Sequence, residues 1–303
     1  MKVLIVGGFG FIGKHLVENA LAKNISFTVI ARKDPDVPWV KYPYILENSL
    51  DDDAFQTLAA EHDALVYLAS SSIPATGSFL KEFPTNVEPA VQLVERLTYH
   101  NPELKVIYLS SGGQVYGNGY KRPMRESDNC EPMSPYGFGK LMTEQSLSYL
   151  HRARGTKIAI LRVANPVGKW QVGLRQGLVN VVYQSLIHKE PLKIFGTGAE
   201  LRDYIDVDEL ALLIIKVASM DFDLETWNVG SGVGTATIQL VEKIESFLGI
   251  EGEKVFLPRR PVDPESAVLN CEKIEKQLGW KARMSIDDVL EKTLNSKLKT
   301  ASF

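Results

Sequence analysis

The sequence predicts an α/β fold: a doubly wound parallel sheet followed by a smaller α/β C-terminal lobe. Three observations carry this reading. Short apolar segments alternate with amphipathic helical segments as far as residue 165. Segments such as Ala64–Ala69 (ALVYLA) and Lys105–Ser110 (KVIYLS) lack the alternation of a half-exposed strand, as expected when helices cover both faces of a sheet. The first apolar segment also runs straight into a cluster of glycines, VLIVGGFGFIG over 3–13. With 303 residues, 45% of them hydrophobic and 23% charged, the chain can bury a core of that size.

The elements follow in order. Lys2–Val6 reads as a strand, and Gly13–Lys23 as a helix with Leu16, Val17, Ala20 and Leu21 on one face. Ser26–Ala31 is the second strand, Asp52–Ala60 a helix, and Ala64–Ala69 a buried strand. Asn86–His100 places Val87, Ala90, Val91, Val94 and Leu97 at helical spacing, and Lys105–Ser110 is a strand. Pro135–Ala153 is a long helix opened by Ser134-Pro135, a cap followed by a proline suited to the first turn. Lys157–Val163 is a further strand. Beyond it the pattern loosens to helices at Leu178–Lys189, Val207–Ser219, Thr237–Leu248 and Ile286–Leu298, with a short strand at Trp227–Val229. No linker, repeat or low-complexity tract interrupts the chain.

Composition excludes several functions. A net charge of −3 gives no basic field for nucleic acid or an anionic membrane. Cys130 and Cys271 stand far apart, without metal-ligand spacing, which suits a reducing cytoplasm. The five histidines fall outside every motif, so no metal site is expected. The apolar start of the chain is broken by glycines and has no small-residue cleavage site after it, so it reads as a strand rather than a signal peptide. No apolar stretch reaches the length of a membrane span.

The glycines satisfy two spacings at once, Gly8-x-Gly10-x-x-Gly13 and Gly7-x-x-Gly10-x-x-Gly13. A glycine turn between a buried strand and a helix N-terminus lets main-chain N–H groups approach a pyrophosphate, and the helix dipole favours its charge. This context predicts a Rossmann-type dinucleotide-binding domain over residues 1–165. Residues 166–303 then form mainly a substrate lobe, with some elements returning to the first core. Tyr136 and Lys140, four residues apart, share one helix face. An ammonium beside a phenol favours phenolate and is expected to lower the tyrosine pKa, fitting it to move a proton while hydride passes to a nicotinamide.

These residues resemble the extended short-chain dehydrogenase/reductases that act on nucleotide-activated sugars, the NAD-dependent epimerase/dehydratase group. The likeness covers essentially the whole chain. It rests on GGFGFIG, on LSSGGQVYG over 109–117, on SPYGFGK over 134–140, on LRVANPVG, on LKIFGTGAELRDYIDVDELA and on WNVGSG. The resemblance implies that Tyr136 is the acid/base, that Lys140 holds the nicotinamide ribose and tunes it, and that Ser111 supplies a hydroxyl. It implies a cofactor set of Gly7, Gly10, Phe11, Ile12, Gly13, Arg32, Lys33, Leu68, Ala69, Asn86, Ser110, Tyr136 and Lys140. For the sugar nucleotide it implies Ser111, Tyr136, Asn165 at the diphosphate, Phe195 at the base, and Arg202 and Arg260 at the nucleotide and its phosphates. A planar guanidinium donating two bonds to phosphate suits both arginines. A homodimer through the helices after Asn86 and after Pro135 is implied as well.

Three departures stand out. Gly112 occupies the position where the family commonly has Ser or Thr, so the hydroxyl comes from Ser111 or Tyr136 contacts the sugar directly. The second strand ends Val29-Ile30-Ala31-Arg32-Lys33 without the carboxylate that would bind ribose hydroxyls, which favours tolerance of NADP over strict dependence on NAD. Tyr67 stands where the family often has His, a change in packing under the cofactor. The expected reaction is 4-epimerisation of a nucleotide sugar, a UDP-sugar, through a 4-keto intermediate with bound NAD or NADP. The alternative is an NADPH-dependent 4-keto-6-deoxysugar reductase. A 4,6-dehydratase is disfavoured because Gly113 and Gln114 replace an Asp-Glu pair, and a non-catalytic protein is disfavoured because Tyr136 and Lys140 are intact.

Overall fold

The computed structural model describes residues 1–32, 44–47, 50–75, 78–118, 120–171 and 177–301. In chain order the strands are β1 (Lys2–Val6), β2 (Ser26–Ala31), β3 (Tyr44–Leu46), β4 (Ala64–Tyr67), β5 (Lys105–Ser111), β6 (Ile158–Val163), β7 (Asn165–Val167), β8 (Leu192–Phe195), β9 (Leu201–Asp206), β10 (Leu224–Val229), β11 (Gly234–Ala236), β12 (Lys254–Leu257) and β13 (Ser266–Ala267). The helices are α1 (Phe11–Ala22), α2 (Asp52–Glu61), α3 (Phe79–Glu82), α4 (Glu88–His100), α5 (Gly112–Val115), α6 (Pro135–Arg154), α7 (Leu178–His188), α8 (Val207–Ala218), α9 (Thr237–Leu248), α10 (Glu272–Leu278) and α11 (Ile286–Ala301). A π-turn, Phe83–Val87, joins α3 to α4.

Seven strands form one parallel sheet in the order β10-β6-β5-β4-β1-β2-β3. β1 pairs β2 on one side and β4 on the other, so the direction of winding reverses there. Ligands of such sheets bind beyond the strand C-termini at that reversal. One face is covered by α1 and α8, whose Leu16, Val17, Ala20, Leu210, Ile214 and Val217 pack on the sheet. The other carries residues of α2, α4 and α6, among them Phe55, Leu58, Val94, Leu97 and Leu147. β10 and α8 follow residue 166 in the chain yet belong to these layers, because Trp227 and Val229 complete the core beside β6.

A smaller layer sits over the C-terminal strand ends. β9 is its centre, paired antiparallel to β11 and parallel to β13 and β7, while β8 pairs β12. Its core joins α7, α9 and α11 through Val182, Leu186, Leu240, Ile244, Leu290 and Leu294. The strands here are short, and β8 alternates, with Leu192 and Ile194 buried and Lys193 and Phe195 outward. Neither β8 nor β9 is a continuous apolar run, since polar residues such as Lys193, Arg202 and Asp203 interrupt them, which is why the sequence reading has no strand at 192–206.

Several boundaries differ from expectation: β10 starts at Leu224 rather than Trp227, and α11 runs to Ala301 rather than Leu298. α1 starts at Phe11, two residues before Gly13, because Lys14 N–H donates to Gly10 O and closes the turn earlier. The helix expected from Asn86 starts at Glu88, since Glu88 N–H reaches back to Phe83 O in a π-turn. His15, which the sequence left unassigned, places Nδ1 2.7 Å from Asp208 Oδ1 and so ties α1 to α8.

Candidate active site

A cavity of about 1090 Å³ follows the C-terminal ends of β1, β2, β4, β5 and β6 and continues beneath the β8–β9 connection. Gly7, Gly10, Phe11, Ile12, Gly13, Arg32, Leu68, Ala69, Ser110, Ser111, Tyr136, Lys140, Asn165, Phe195, Arg202 and Arg260 all line it, so residues read separately from the sequence meet in one space. Asn86 stands behind the wall, and Lys33 lies outside the described residues.

At the glycine end the lining is main chain. Gly7 has φ +87°, and a Cβ there would sit 3.0 Å from Ala69 N, just beyond the end of β4. A Cβ at Gly13 would lie 2.2 Å from Gly7 O and 2.6 Å from Gly8 Cα, so the turn folds onto its helix only without a side chain. No side chain caps α1, which leaves the N–H groups of its first turn to an anion. Arg32, at the end of β2, donates from Nη1 to Ser71 Oγ. Ser71 N–H in turn donates to Asn86 Oδ1 at 2.6 Å, so Asn86 supports the loop after β4.

In the middle of the cavity α6 presents Tyr136 and Lys140. Its first turn is fixed by Ser134, whose Oγ accepts from Gly137 N–H at 3.0 Å and donates to Gln114 Oε1 at 2.8 Å. The pair does not interact as the spacing suggested. Lys140 Nζ donates to Leu109 O at 2.8 Å and lies 5.8 Å from the Tyr136 ring centroid. Burial pushes the Tyr136 phenol up to about 12, Ser111 opposes this with a hydrogen bond, and the Glu82 carboxylate adds to it. Burial draws the Lys140 ammonium down to about 8 against Glu82 and Glu144. The expected lowering of the tyrosine by the lysine is therefore corrected: desolvation raises the phenol, and the ammonium is spent on a backbone carbonyl.

Ser111 contacts Tyr136, whereas a Cβ at Gly112 would lie 2.6 Å from Leu269 Cδ1 and 2.9 Å from Arg162 O. The space beside Gly112 is occupied, so Ser111 is the neighbouring donor. Ser110 also lines the cavity, and its buried Oγ has no hydrogen-bond partner among the described residues.

At the far end the lining is side chain. The Arg260 guanidinium lies 4.5 Å from the Phe195 ring centroid, and its Nε donates to Asp263 Oδ2 at 2.6 Å. Arg202 Nη1 donates to Leu201 O at 2.8 Å, and burial draws its pKa down. β9 is held by Asp203, a fully buried carboxyl pushed up to about 6 by burial, which accepts from the N–H groups of Ser231, Gly232 and Leu269. Asn165 Nδ2 donates to Asp203 O at 2.8 Å. The turn between β8 and β9 is tied by Glu200, which accepts from the N–H groups of Thr197 and Gly198.

Sequence reasoning missed Glu82, Ser71, Ser72, Glu200 and Asp263. Most carry no motif. Asp263 could have been read as the partner of Arg260 three residues before it. Among the described residues no group of three or more His, Cys, Asp or Glu could hold a metal ion, and no helix is long and apolar enough to cross a membrane.

Known proteins share this fold. A model of the NAD dependent epimerase/dehydratase family matches residues 3–230. The chain is 29% identical to dTDP-4-dehydro-6-deoxyglucose reductase of Escherichia coli over 97% of this chain and 96% of that protein. It is 27% identical to UDP-glucose 4-epimerase of Lactobacillus helveticus, covering 96% of this chain and 95% of that one. The solved structure of UDP-glucose 4-epimerase with UDP-glucose from Thermotoga maritima superposes with a TM-score of 0.89 at 28% identity, covering 99% of this chain and 100% of that one.

Proposed function

The chain belongs to the NAD dependent epimerase/dehydratase family, and from that premise we propose that it is a nucleotide-sugar 4-epimerase acting on a UDP-sugar. The observation that carries this reading is the single cavity in which Ser111 and Tyr136 stand between a glycine cradle and the Phe195–Arg260 pair. The residues fit a nicotinamide dinucleotide: a turn that admits no side chain, an uncapped helix N-terminus, and the unpartnered Ser110 hydroxyl. Gly7, Gly10, Phe11, Ile12 and Gly13 would hold its pyrophosphate, Leu68, Ala69 and Ser110 would wall it, and Arg32 would meet its adenosine end.

The bound nicotinamide supplies the hydride acceptor and donor. Tyr136 takes the proton from the sugar O4 and returns it, with Ser111 passing a hydrogen bond to the phenol. Lys140, fixed on Leu109 O, would meet the nicotinamide ribose. Epimerisation needs the 4-keto sugar to turn over while its nucleotide stays held. Phe195 would stack on the base, and Arg202, Arg260 and Asn165 would take the diphosphate, leaving the sugar against Ser and Ala side chains that permit rotation. The test is incubation with UDP-glucose and its N-acetyl form. The C4 epimer should appear without net cofactor reduction, and no conversion of UDP-, dTDP- or GDP-sugars would overturn the reading.

A second reading, an NADPH-dependent 4-keto-6-deoxysugar reductase, is favoured by Arg32 at a strand end without a carboxylate and by the Escherichia coli reductase relative. It predicts stoichiometric oxidation of NADPH by a dTDP-4-keto sugar. We also propose a cytoplasmic homodimer. Phe79, Leu80, Phe83, Phe138 and Tyr149 are exposed on and beside α6, an apolar surface suited to a second copy. Sedimentation should give twice the chain mass, and a monomer at micromolar concentration would contradict it.

A further inference from the structure

We propose that Glu82 is a positioning residue for Tyr136 and Lys140, its carboxylate locking the loop after β4 to the helix that carries them. Glu82 is 4% exposed, and a buried carboxylate is costly unless it is partnered. No cation forms an ion pair with it among the described residues. It is held instead by Ser72 Oγ, which donates at 2.8 Å, and by Asn86 Nδ2, which donates at 2.9 Å. Its methylenes lie against α6 where Gly139 has no side chain, and a Cβ at Gly139 would sit 2.4 Å from Glu82 Cγ. Glycine inside a helix is less stable than alanine, so Gly139, next to Lys140, gives up helix stability to admit this carboxyl.

The π-turn Phe83–Val87 begins at the next residue, and such turns gather at functional sites. It brings Asn86 back onto Glu82, while Asn86 Oδ1 receives Ser71 N–H and Ser71 Oγ receives Arg32. A continuous set of contacts therefore runs from the catalytic helix to the adenosine end of the cavity.

Charge follows from the same placement. Glu82 faces Tyr136 and Lys140 from α3, Glu144 faces Lys140 from within α6, and the buried Tyr108 packs on Lys140 from β5. Around this cluster Glu82 favours the protonated form of both Tyr136 and Lys140. Removing its charge must lower both.

The proposal rests on Tyr136 as acid/base, so its test is chosen to read the phenol without any sugar. Phenolate absorbance of the cofactor-loaded protein is titrated in the parent, Glu82→Gln and Glu82→Asp, with Tyr136→Phe in each background isolating the one phenol. Glu82→Gln should bring the Tyr136 midpoint about one pH unit lower. Glu82→Asp should return it towards the parent value while turnover stays reduced by the shortened side chain. An unchanged midpoint in Glu82→Gln, or equal midpoints in the Gln and Asp variants, would overturn the proposal. In turnover with a nucleotide sugar, both limbs of the kcat/KM profile should move to lower pH with KM little altered. A merely structural role would lower the profile without moving it. A lowered phenol midpoint with no sugar turned over would leave the role of Glu82 standing and sink the substrate reading.

Discussion

At the glycine end of the cavity the surface offered to a ligand is main chain, whereas at the β8–β9 end it is side chain. Gly7, Gly10 and Gly13 contribute by what they lack, since a Cβ at Gly13 would strike Gly7 O. Phe195, Arg202 and Arg260 contribute by what they carry: Arg260 lies over the Phe195 ring and is tied to Asp263, and Arg202 is tied to Leu201 O. The first arrangement is fixed by a strand, a turn and a helix adjacent in sequence. The second is assembled from β8, β9 and the segment after β12. A backbone cradle tolerates no substitution but reads no chemical detail beyond a pyrophosphate. A side-chain cluster can change its ligand one residue at a time. Tyr136 and Lys140 stand between the two and belong to neither.

The largest expected effect lies between the two ends. Tyr136→Phe should reduce epimer formation about 10³-fold while the protein retains its dinucleotide on gel filtration, and retained turnover would remove Tyr136 from the reaction. At the glycine end, Gly13→Ala should cost about 1–3 kcal/mol in urea denaturation and abolish dinucleotide retention. If the variant binds cofactor normally, the cradle is not what holds it. At the other end, Arg260→Ala should raise the KM for the nucleotide sugar about ten- to hundredfold with kcat nearly unchanged, since a charged hydrogen bond is lost from binding rather than from the reaction. An equal loss in cofactor affinity would erase the contrast between the ends. The smallest effect belongs to Arg32→Ala, which should weaken NADP about tenfold more than NAD, and equal weakening would refute a 2′-phosphate contact.

The pH dependence sharpens the same picture. Lys140 sits at about 8, so raising the pH through that value removes its charge, and kcat/KM should fall on the alkaline side. Tyr136 sits at about 12 in the protein alone, so loading oxidised dinucleotide, with its positive nicotinamide, should bring the phenol midpoint down. A midpoint indifferent to cofactor would show that the two do not meet.

What was legible in the sequence follows the same division. The glycine turn, Tyr136 and Lys140 lie in contiguous motifs whose spacing is itself the geometry, and they line the cavity as expected. The sheet was legible because its central strands, such as Ala64–Tyr67, are apolar throughout. β7 to β9 were not, because polar residues such as Asn165, Lys193 and Arg202 interrupt them and leave no continuous apolar run. Spacing also says nothing about burial. It placed Lys140 beside Tyr136 but could not show that Leu109 O takes the ammonium or that desolvation dominates the phenol. Glu82 was invisible for a related reason: its partners Ser72, Asn86 and Gly139 come together only once the π-turn and α6 are packed.

The central claim is that one cavity holds a nucleotide sugar by its nucleotide while Tyr136 opens and closes the C4 centre. The direct measurement is nuclear magnetic resonance of UDP-glucose incubated with the cofactor-loaded protein and no added reductant. The account predicts that the galacto epimer grows in to equilibrium with the nicotinamide unchanged, and that Tyr136→Phe abolishes it. No epimer, together with stoichiometric oxidation of NADPH by a dTDP-4-keto sugar, would contradict it and assign the site to reduction.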